Sequence, residues 1–317
     1  MREFVSQLAP LMKEYASYQQ SSGRSSDSYA VILGLFDKHC KANYFDSKEL
    51  TQAMIDSWCA KHETETNNSY RRRIYPVTSF IRFLQKRGMT DVVTPTMPRK
   101  EPNTYIPHAF TSEELTNFFN ACDTIHYGAS KQEKTRKLTL PIFFRLLYSS
   151  GIRTTEARLL RRSNVDLEYG VLNIEYSKGH AQHFVVLHDT VLQVMQEYDK
   201  AIDTLYPNRT YFFPFGDNNH HTAFWVQSNF KKMWFQKNSA YAVPYEFRHN
   251  YAIENINKWT DDGFGFNDKL FYLSKSMGHS VVESTKYYYS LVPRLADVMS
   301  AHTNEDDMIP EVPHESY

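Results

Sequence analysis

The stretch LSKSMGHSVVESTKYYYS, residues 273–290, joins a Met-Gly-His turn to three consecutive tyrosines. Ser280 precedes Glu283 by three residues, which is the pattern of a helix N-terminal capping box, so a short helix is predicted after the turn. On that helix the tyrosines at 287–289 would point in directions about 100° apart, and at most one can face a given site. Such a tyrosine can act as a nucleophile in phosphoryl transfer if cations from elsewhere in the chain converge on it.

Two other segments supply the cations. Residues 150–156, SGIRTTE, follow an apolar helical run over 138–148, and residues 245–249, YEFRH, open a second helix-like run. Together with GHS at 278–280, these segments provide the G-[IL]-R-x-x-E, x-x-[LF]-R-H and G-H-S boxes in order, with nine residues from His279 to the middle tyrosine. The chain therefore resembles the tyrosine recombinase (phage integrase) family over about residues 105–300.

Composition limits the possible classes of protein. Lys plus Arg equals Asp plus Glu at 36 each, but five acids lie beyond residue 300, so residues 1–300 carry a net charge of +5. A modest net positive charge over residues 1–300, followed by an acidic tail, is compatible with local phosphate binding. The three cysteines lack ligand spacing, and the adjacent histidines at 220 and 221 lack a third ligand, so we expect these histidines to be solvated. No metal or other cofactor is expected.

The sequence shows no targeting or membrane segment. No secretory apolar region follows Met1, and no apolar run approaches about 18 residues. We expect a reduced, soluble, cytoplasmic protein without a membrane partner. We expect no arm-binding domain before residue 1, and therefore a simple two-domain recombinase rather than a large phage integrase.

Residues 1–88 show helical periodicity throughout. A Ser/Gly-rich break at 21–28 separates the first two helices, a third is predicted to start near Ser47, and the last spans about 70–87 with Pro76 inside it. This last run carries cations with no acid among them, for which we favour contact with the DNA backbone over a merely solvated helix face. The predicted DNA-binding residues are Arg71, Arg72, Arg73, Arg82, Lys86 and Arg87.

A proline-rich linker and a hairpin mark the second half of the chain. Residues 89–107 contain four prolines, and a helix is predicted to start after Thr111. β-branched runs within 164–187 flank a Ser-Lys-Gly-His turn and predict a β-hairpin in a small sheet. In the resembled family a lysine on this hairpin reaches the scissile site, and Lys178 matches it. Aromatic residues of the run 222–237 are expected in the core.

The segment 245–249 departs from the family in one respect. The family pattern is His-x-x-Arg, and here Tyr245 stands at the first position. A phenol has an unperturbed pKa near 10 and is a poorer base at neutral pH than imidazole, so the identity of the general base stays open. His249 follows Arg248 and is expected to face away from the site as a buried structural histidine.

The resemblance implies a catalytic set and a mechanism. Two arginines offer bidentate donors to the nonbridging phosphate oxygens, His279 adds a hydrogen bond, and a lysine protonates the 5′-oxygen leaving group. The middle tyrosine attacks phosphorus and forms a 3′-phosphotyrosyl link, with no ATP or metal required. The candidate catalytic residues are Arg153, Lys178, Tyr245, Arg248, His279 and Tyr288.

The predicted fold is mainly α with a small β-sheet. A helical N-terminal core-binding (SAM-like) domain at 1–88, which clasps DNA, precedes the linker at 89–107, a mixed α/β tyrosine-recombinase catalytic domain at 108–300, and an acidic tail at 301–317.

The predicted function is site-specific DNA recombination or integration, typical of a mobile genetic element, on a double-stranded DNA site with a homotetramer in synapsis. Two alternatives stay open: activity of the type IB topoisomerase kind, and a catalytically idle DNA-binding protein with the same fold. Plasmid relaxation without a paired site would favour the first. The DNA target, and the choice among integration, excision, inversion and resolution, are left undetermined.

Overall fold

The structure is a computed structural model that describes residues 3–23, 27–47, 49–102, 105, 107–126, 128–175, 182–259, 265–279, 284–285 and 288. The chain divides into two compact units, Met1–Tyr105 and Ile106–Tyr317. Helices dominate both, and a small antiparallel sheet lies in the second, so the prediction of a mainly α protein with a small β-sheet is confirmed.

The first unit is helical. Its elements are α1 (Ala9–Ser21), α2 (Asp27–Asn43), α3 (Gln52–Cys59) and α4 (Asn67–Gln85). Apolar residues at three- and four-residue spacing on each helix meet in one core, which includes Met12, Phe36, Ile55, Phe80 and Leu84. Burial of this shared core stabilises the helices, because isolated helices of these lengths are marginal in water.

Local chemistry explains where these helices begin. Pro10 lies in the first turn of α1, where its missing N–H costs nothing. The prediction that the third helix starts near Ser47 is wrong, because the Thr51 hydroxyl caps α3 by accepting from the Met54 N–H at 3.4 Å. Pro76 lies inside α4, which continues through it to Gln85.

The second unit combines longer helices with the sheet. The helices are α5 (Ser112–Asp123), α6 (Lys131–Ser150), α7 (Thr154–Leu159), α8 (Asp189–Asp203), α9 (Ala223–Trp234), α10 (Glu246–Asn257) and α11 (Phe266–Ser276). Thr111 begins α5 with a reciprocal capping box to Glu114, as the sequence predicts. Ser284, Thr285 and Tyr288 are also helical, whereas the predicted capping box at 280–283 lies outside the described residues.

The predicted hairpin is present. Strands β1 (Val165–Asp166), β2 (Val171–Ile174) and β3 (His183–Val186) form an antiparallel sheet in the order β1-β2-β3, with Val171 opposite Val186 and Ile174 opposite His183. Burial alternates along β3, so His183 and Val185 face inward while Phe184 and Val186 face outward. The turn that contains Lys178 lies outside the described residues.

An aromatic core holds α5, α6, α9 and α10 together. The rings of Phe118, Phe144, Phe230, Trp234 and Phe247 are all buried and pack on one another at 4.9–6.4 Å between centroids. The expectation that the aromatics of 222–237 belong to the core is therefore confirmed for two of them. It is wrong for Phe224, which is 79% exposed on the outer face of α9.

The expectation that the adjacent histidines are solvated is wrong for His221. Its ring is only 3% exposed and stacks on Trp225, with 3.8 Å between centroids and 16° between planes. Burial, reinforced by His220 and Arg158, lowers the pKa of His221 to about 4. Among the described residues no cluster of His, Cys, Asp or Glu side chains is arranged to hold a metal ion.

Within the part of the chain that the structure describes, no helix combines the length and the apolarity needed to cross a membrane.

Candidate active site

The Met277–Gly278–His279 turn is the point at which the site is assembled. Helix α11 ends at Ser276, and Gly278 adopts φ +62°, a left-handed conformation that other L-residues rarely adopt. The turn presents its backbone carbonyls and the His279 side chain to residues from α7 and α10. The sequence elements that were predicted to converge therefore meet at backbone atoms as well as at side chains.

Arg153 reaches the turn from the start of α7. Gly151 ends α6 with φ +64°, and a Cβ there would overlap the Tyr251 ring, so the chain turns sharply and places Arg153 at the helix N-cap. Glu156 accepts from the Arg153 backbone N–H at 2.7 Å and from its Nη1 at 2.5 Å. The Nη2 atom then donates to the Gly278 carbonyl at 3.2 Å.

Arg153 makes both contacts at once, since its Nη1 pairs with Glu156 while its Nη2 reaches the turn. Glu156 is 2% exposed, so its carboxylate is held in the protein interior by the arginine and not by solvent. The planar guanidinium is fixed by this pairing in the orientation that reaches Gly278. Glu156 is thus a positioning group within the site.

Arg248 approaches the same turn from the first turn of α10 and is almost fully buried, at 1% exposure. Its Nη1 donates to the Gly151 carbonyl at 2.7 Å, and its Nη2 donates to the Met277 carbonyl at 2.6 Å. Burial, with Arg153 adding to it, lowers the pKa of Arg248. The two arginines therefore contact successive carbonyls of the turn and are close enough for the charge of Arg153 to act on Arg248.

His279 is held by hydrogen bonds at both ring nitrogens. Nε2 lies 2.8 Å from Nη2 of Arg248, and Nδ1 lies 2.6 Å from the Thr285 hydroxyl. An arginine can only donate, so Nε2 accepts, Nδ1 carries the proton, and the ring is neutral. Burial, followed by Arg248, Arg153 and His183, lowers the pKa of His279 to about 4, which favours the same neutral form.

Tyr288 is buried beside these groups. It is 3% exposed and packs with Ala252, Ile256, Leu273 and Met277, while its ring lies parallel to that of His279 at 6.2 Å and 11°. Burial raises its pKa, whereas the charge of Arg248, a hydrogen bond with Arg248 and the charge of Arg153 lower it. The pKa of the phenol is raised on balance, and both arginines act against that rise.

The Tyr245 and His249 side chains complete the site in a way that the sequence did not indicate. Tyr245 is 43% exposed at the N-cap of α10, and its ring lies 5.2 Å from that of His249. The expectation that His249 faces away is wrong, because its ring centroid is 5.4 Å from that of Tyr288. It is buried, as expected, and burial lowers its pKa.

Some candidate residues are not among those that the structure describes, and two residues of the site were not predicted from the sequence. Lys178, Tyr287 and Tyr289 lie outside the described residues. Thr285 and His183 were missed, because no local pattern marks a threonine that accepts from a histidine or an inward-facing histidine on a strand. Proximity to the G-H-S box is the one signal that could have indicated Thr285.

The predicted DNA-binding cations occupy two different environments. Arg72, Arg82 and Lys86 are exposed on one stripe of α4, at spacings of three and four residues that also include Tyr75 and Ser79. The others contact protein groups: Arg71 donates to the Pro98 carbonyl, Arg73 is bidentate to Glu65 at 2.7–2.9 Å, and Arg87 lies 3.7 Å above the Phe83 ring. The expectation of cations without acidic partners is wrong for Arg73, because Glu65 pairs with it from before the helix. It is also wrong for Arg87, whose Nε lies 3.7 Å from a carboxylate oxygen of Glu14 on α1.

Comparison with known proteins places this arrangement in a family. The model of the phage integrase family matches residues 108–293. The putative integrase/recombinase y4rE of Sinorhizobium fredii (strain NBRC 101917 / NGR234) is 24% identical over 91% of this chain and 93% of its own length. The tyrosine recombinase XerC of Chlorobaculum parvum (strain DSM 263 / NCIMB 8327) is 25% identical over 69% of this chain and 68% of its own length.

The fold has a solved counterpart. A lambda integrase tetramer bound to a Holliday junction superimposes with a TM-score of 0.60 at 13% identity, covering 89% of this chain and 76% of that one. This likeness supports the fold, in which a helical unit precedes a mixed α/β catalytic unit. Because the family model covers more than half of the chain, the protein belongs to the phage integrase family and is a tyrosine-type site-specific recombinase, an enzyme that cleaves and rejoins DNA.

Proposed function

We propose that the site around the Met277–Gly278–His279 turn performs the strand cleavage and rejoining, with Tyr288 as the nucleophile. One observation carries the assignment: Arg153 and Arg248, from two different helices, both donate to this turn, and both act on the Tyr288 phenol. A phosphodiester is anionic, and its reaction passes through a pentacoordinate phosphorane with more negative charge. Two convergent guanidinium groups beside a phenol suit that chemistry.

In the proposed step the Tyr288 oxygen attacks the scissile phosphorus and the bond to the 5′-oxygen breaks. The two arginines stabilise the nonbridging oxygens, and removal of one such donor typically costs on the order of a hundredfold in rate. The 5′-oxygen leaves with a proton, which the resemblance assigns to Lys178. The 3′-phosphotyrosyl link conserves the bond energy, so the reverse attack by a 5′-hydroxyl rejoins the strand.

The proton of Tyr288 needs an acceptor, and we assign it to His249. His279 is unsuited to this task, because its Nε2 already accepts from Arg248 and its Nδ1 carries a proton. His249 is a second imidazole beside the Tyr288 ring, and its lowered pKa keeps it neutral and able to accept. The half-exposed Tyr245 phenol is then placed to donate a hydrogen bond to the phosphate.

DNA binding by the first unit is assigned to the stripe of α4 formed by Arg72, Tyr75, Ser79, Arg82 and Lys86. Every side chain of this stripe can donate a hydrogen bond, and none is acidic, which suits contact with a phosphate backbone. Tyr29 of α2 extends it, with its ring 5.6 Å from that of Tyr75. Arg71, Arg73 and Arg87 are engaged with protein groups and are not proposed as its main contacts.

We further propose a double-stranded DNA site as the partner, and a homotetramer in synapsis. The lambda integrase counterpart is a tetramer on a Holliday junction, and exchange of both strand pairs requires four nucleophiles. The domain division at 1–88, 89–107, 108–300 and 301–317 is retained as a proposal, and the boundary between the two compact units falls within the proposed linker. A cytoplasmic location stays a prediction.

The decisive experiment selects a binding site from a pool of random duplexes and incorporates it into a nicked suicide duplex. We expect the wild-type protein to form an adduct on a denaturing gel, and Tyr288→Phe to bind the duplex without forming one. An adduct that persists in Tyr288→Phe would move the nucleophile to Tyr287 or Tyr289. Binding by the wild type without any adduct would favour the idle DNA-binding alternative, and relaxation of a plasmid that lacks the site would favour the topoisomerase alternative.

A further inference from the structure

His183 occupies an unusual position for a histidine. It is the first residue of β3, faces inward and is 8% exposed, at a point on the strand where the alternation of burial calls for a core residue. Strand β3 is also the arm of the hairpin that follows Lys178. A side chain at this position thus belongs to the hairpin and also points toward the helical part of the second unit.

The His183 ring lies directly against Gly278. A Cβ built on Gly278 would be 2.5 Å from Cε1, 2.6 Å from Nδ1 and 3.0 Å from Nε2 of His183, which are distances that real Cβ atoms do not tolerate. Glycine is therefore needed at position 278 for two reasons. It adopts the left-handed φ readily, and it has no side chain to clash with the His183 ring. The contact joins residues that are far apart in sequence and lie on different elements.

Gly278 is the centre of the turn on which the catalytic side chains depend. Arg153 donates to its carbonyl, and Arg248 donates to the carbonyl before it and to the histidine after it. A shift of this backbone would displace both guanidinium groups together. His183 is also close enough to lower the pKa of His279, as the fourth contribution after burial, Arg248 and Arg153.

We propose that His183 is a positioning residue of the active site, whose ring seats the Met277–Gly278–His279 turn and ties its position to that of the hairpin. The role rests on the proposed function of the site. It predicts that the hairpin contributes to catalysis through this contact, in addition to the role that the resemblance gives to Lys178. The His183 ring acts through Gly278 and does not itself touch the reacting atoms.

A double-mutant cycle tests the contact. The variants are His183→Ala, Gly278→Ala and the double variant, with Val186→Ala as the control, because Val186 lies on the same strand and is 76% exposed on the opposite face. The readout is the single-turnover rate of adduct formation on the suicide duplex at saturating DNA, alongside DNA affinity and melting temperature. Wild type and Tyr288→Phe are run in parallel.

We expect His183→Ala to slow adduct formation at least tenfold, with affinity within twofold of wild type, and Val186→Ala to leave both unchanged. Gly278→Ala should be more damaging in the wild-type background than in the His183→Ala background, because removal of the ring makes room for the new Cβ. Additive effects of the two substitutions, or a lower melting temperature with an unchanged rate at saturating DNA, would overturn the proposal.

A measurement without DNA tests the positioning role of His183 separately from the proposed strand cleavage. Titration of the His279 ring by NMR should show a higher pKa in His183→Ala, since a neighbouring ring that lowers it has been removed and water can enter. The other groups that face His279 are Arg248, Arg153, Thr285 and Tyr288, and none of them is substituted in this variant. An unchanged His279 pKa would contradict the positioning role even if wild type forms the adduct. Absence of adduct in wild type would contradict the proposed function alone.

Discussion

Nη2 of Arg248 lies 2.8 Å from Nε2 of His279, and this single contact fixes the protonation state of the histidine. Because a guanidinium group only donates, the ring must accept at Nε2 and carry its proton on Nδ1, where Thr285 accepts it at 2.6 Å. His279 therefore orients Arg248 in the DNA-free protein. The hydrogen bond from His279 to the phosphate that the resemblance implies would require Arg248 to turn away from Nε2 and Nε2 to carry a proton.

Glu156→Gln tests how strongly catalysis depends on the orientation of Arg153. The substitution keeps the shape but removes the charge that holds the guanidinium group, so we expect adduct formation at saturating DNA to slow by roughly 10- to 100-fold. Glu168→Gln, at an exposed position after β1, is the matched control and should not change the rate. Equal rates for wild type and Glu156→Gln would show that Arg153 is held by its backbone position alone.

His249→Phe tests the proposed proton acceptor. Phenylalanine retains the ring packing against Tyr288 and Tyr245 but accepts no proton, so adduct formation at pH 7 should fall by on the order of a hundredfold. The loss should shrink as the pH rises, because hydroxide can then deprotonate Tyr288. The measurement is the pH dependence of the single-turnover rate. A loss that is equal at every pH would mean that His249 has only a packing role.

Tyr245→Phe tests the hydrogen bond that the Tyr245 phenol is proposed to donate to the phosphate. It removes one hydrogen-bond donor to the phosphate and leaves the His249 ring in place, so we expect a loss of roughly tenfold that does not vary with pH. Single-turnover rates with saturating DNA check this expectation. A pH-dependent loss that matches that of His249→Phe would instead make the phenol part of the proton path.

Substitutions should divide the cations of α4 into a group that binds DNA and a group that stabilises the fold. The pair Arg72→Ala and Arg82→Ala should weaken binding to unrelated DNA sequences equally and reduce the slope of log affinity against log salt by about 2, with no change in melting temperature. Arg73→Gln should do the opposite, lowering stability by about 2 kcal/mol because Glu65 loses its partner, with little effect on the salt slope. Equal salt slopes for both variants would contradict the division.

The free energy of unfolding should decrease as the pH is lowered from about 6.5 to about 4. His221 and His279 have folded-state pKa values of about 4, below the ordinary value of 6.5, so in this window the unfolded chain binds protons that the folded protein excludes. Stability is therefore highest above pH 6.5 and is lost as the pH falls, by on the order of 2 kcal/mol for each histidine. Melting curves across this range measure the loss.

His221→Phe isolates one of the two contributions. Phenylalanine can stack on Trp225 as the imidazole does, and it removes two buried ring nitrogens that have no hydrogen-bond partner among the described residues. We expect this variant to be at least as stable as wild type at pH 7 and to lose less stability on acidification. A pH profile parallel to that of wild type would show that His221 titrates normally.

The ordered motifs of the sequence sufficed to predict the residue types of the site and the fold class. Helical periodicity located most of the helices of both units, and Gly151 and Gly278 lie at the turns that precede or contain the candidate catalytic residues. Local patterns of this kind record which face of an element is apolar. They do not record which distant residue will lie against it, and for that reason the orientation of His249 was misjudged. The start of α3 was misjudged for a local reason, because the capping hydroxyl is that of Thr51 and not that of Ser47.

The sequence by itself determined the chemistry available to this protein: two arginines, a histidine and a tyrosine in the order of a strand-transfer enzyme. Only the tertiary structure decided how these groups are brought together, because the contacts of the two arginines with the turn join segments remote in sequence. Arg153 and Arg248 reach Gly278 and Met277 across 125 and 29 residues. The contact of His183 with Gly278 likewise joins strand β3 to the turn after α11. Arg73 and Glu65, and His221 and Trp225, lie closer along the chain, but the residue types alone do not show that the folded protein pairs them.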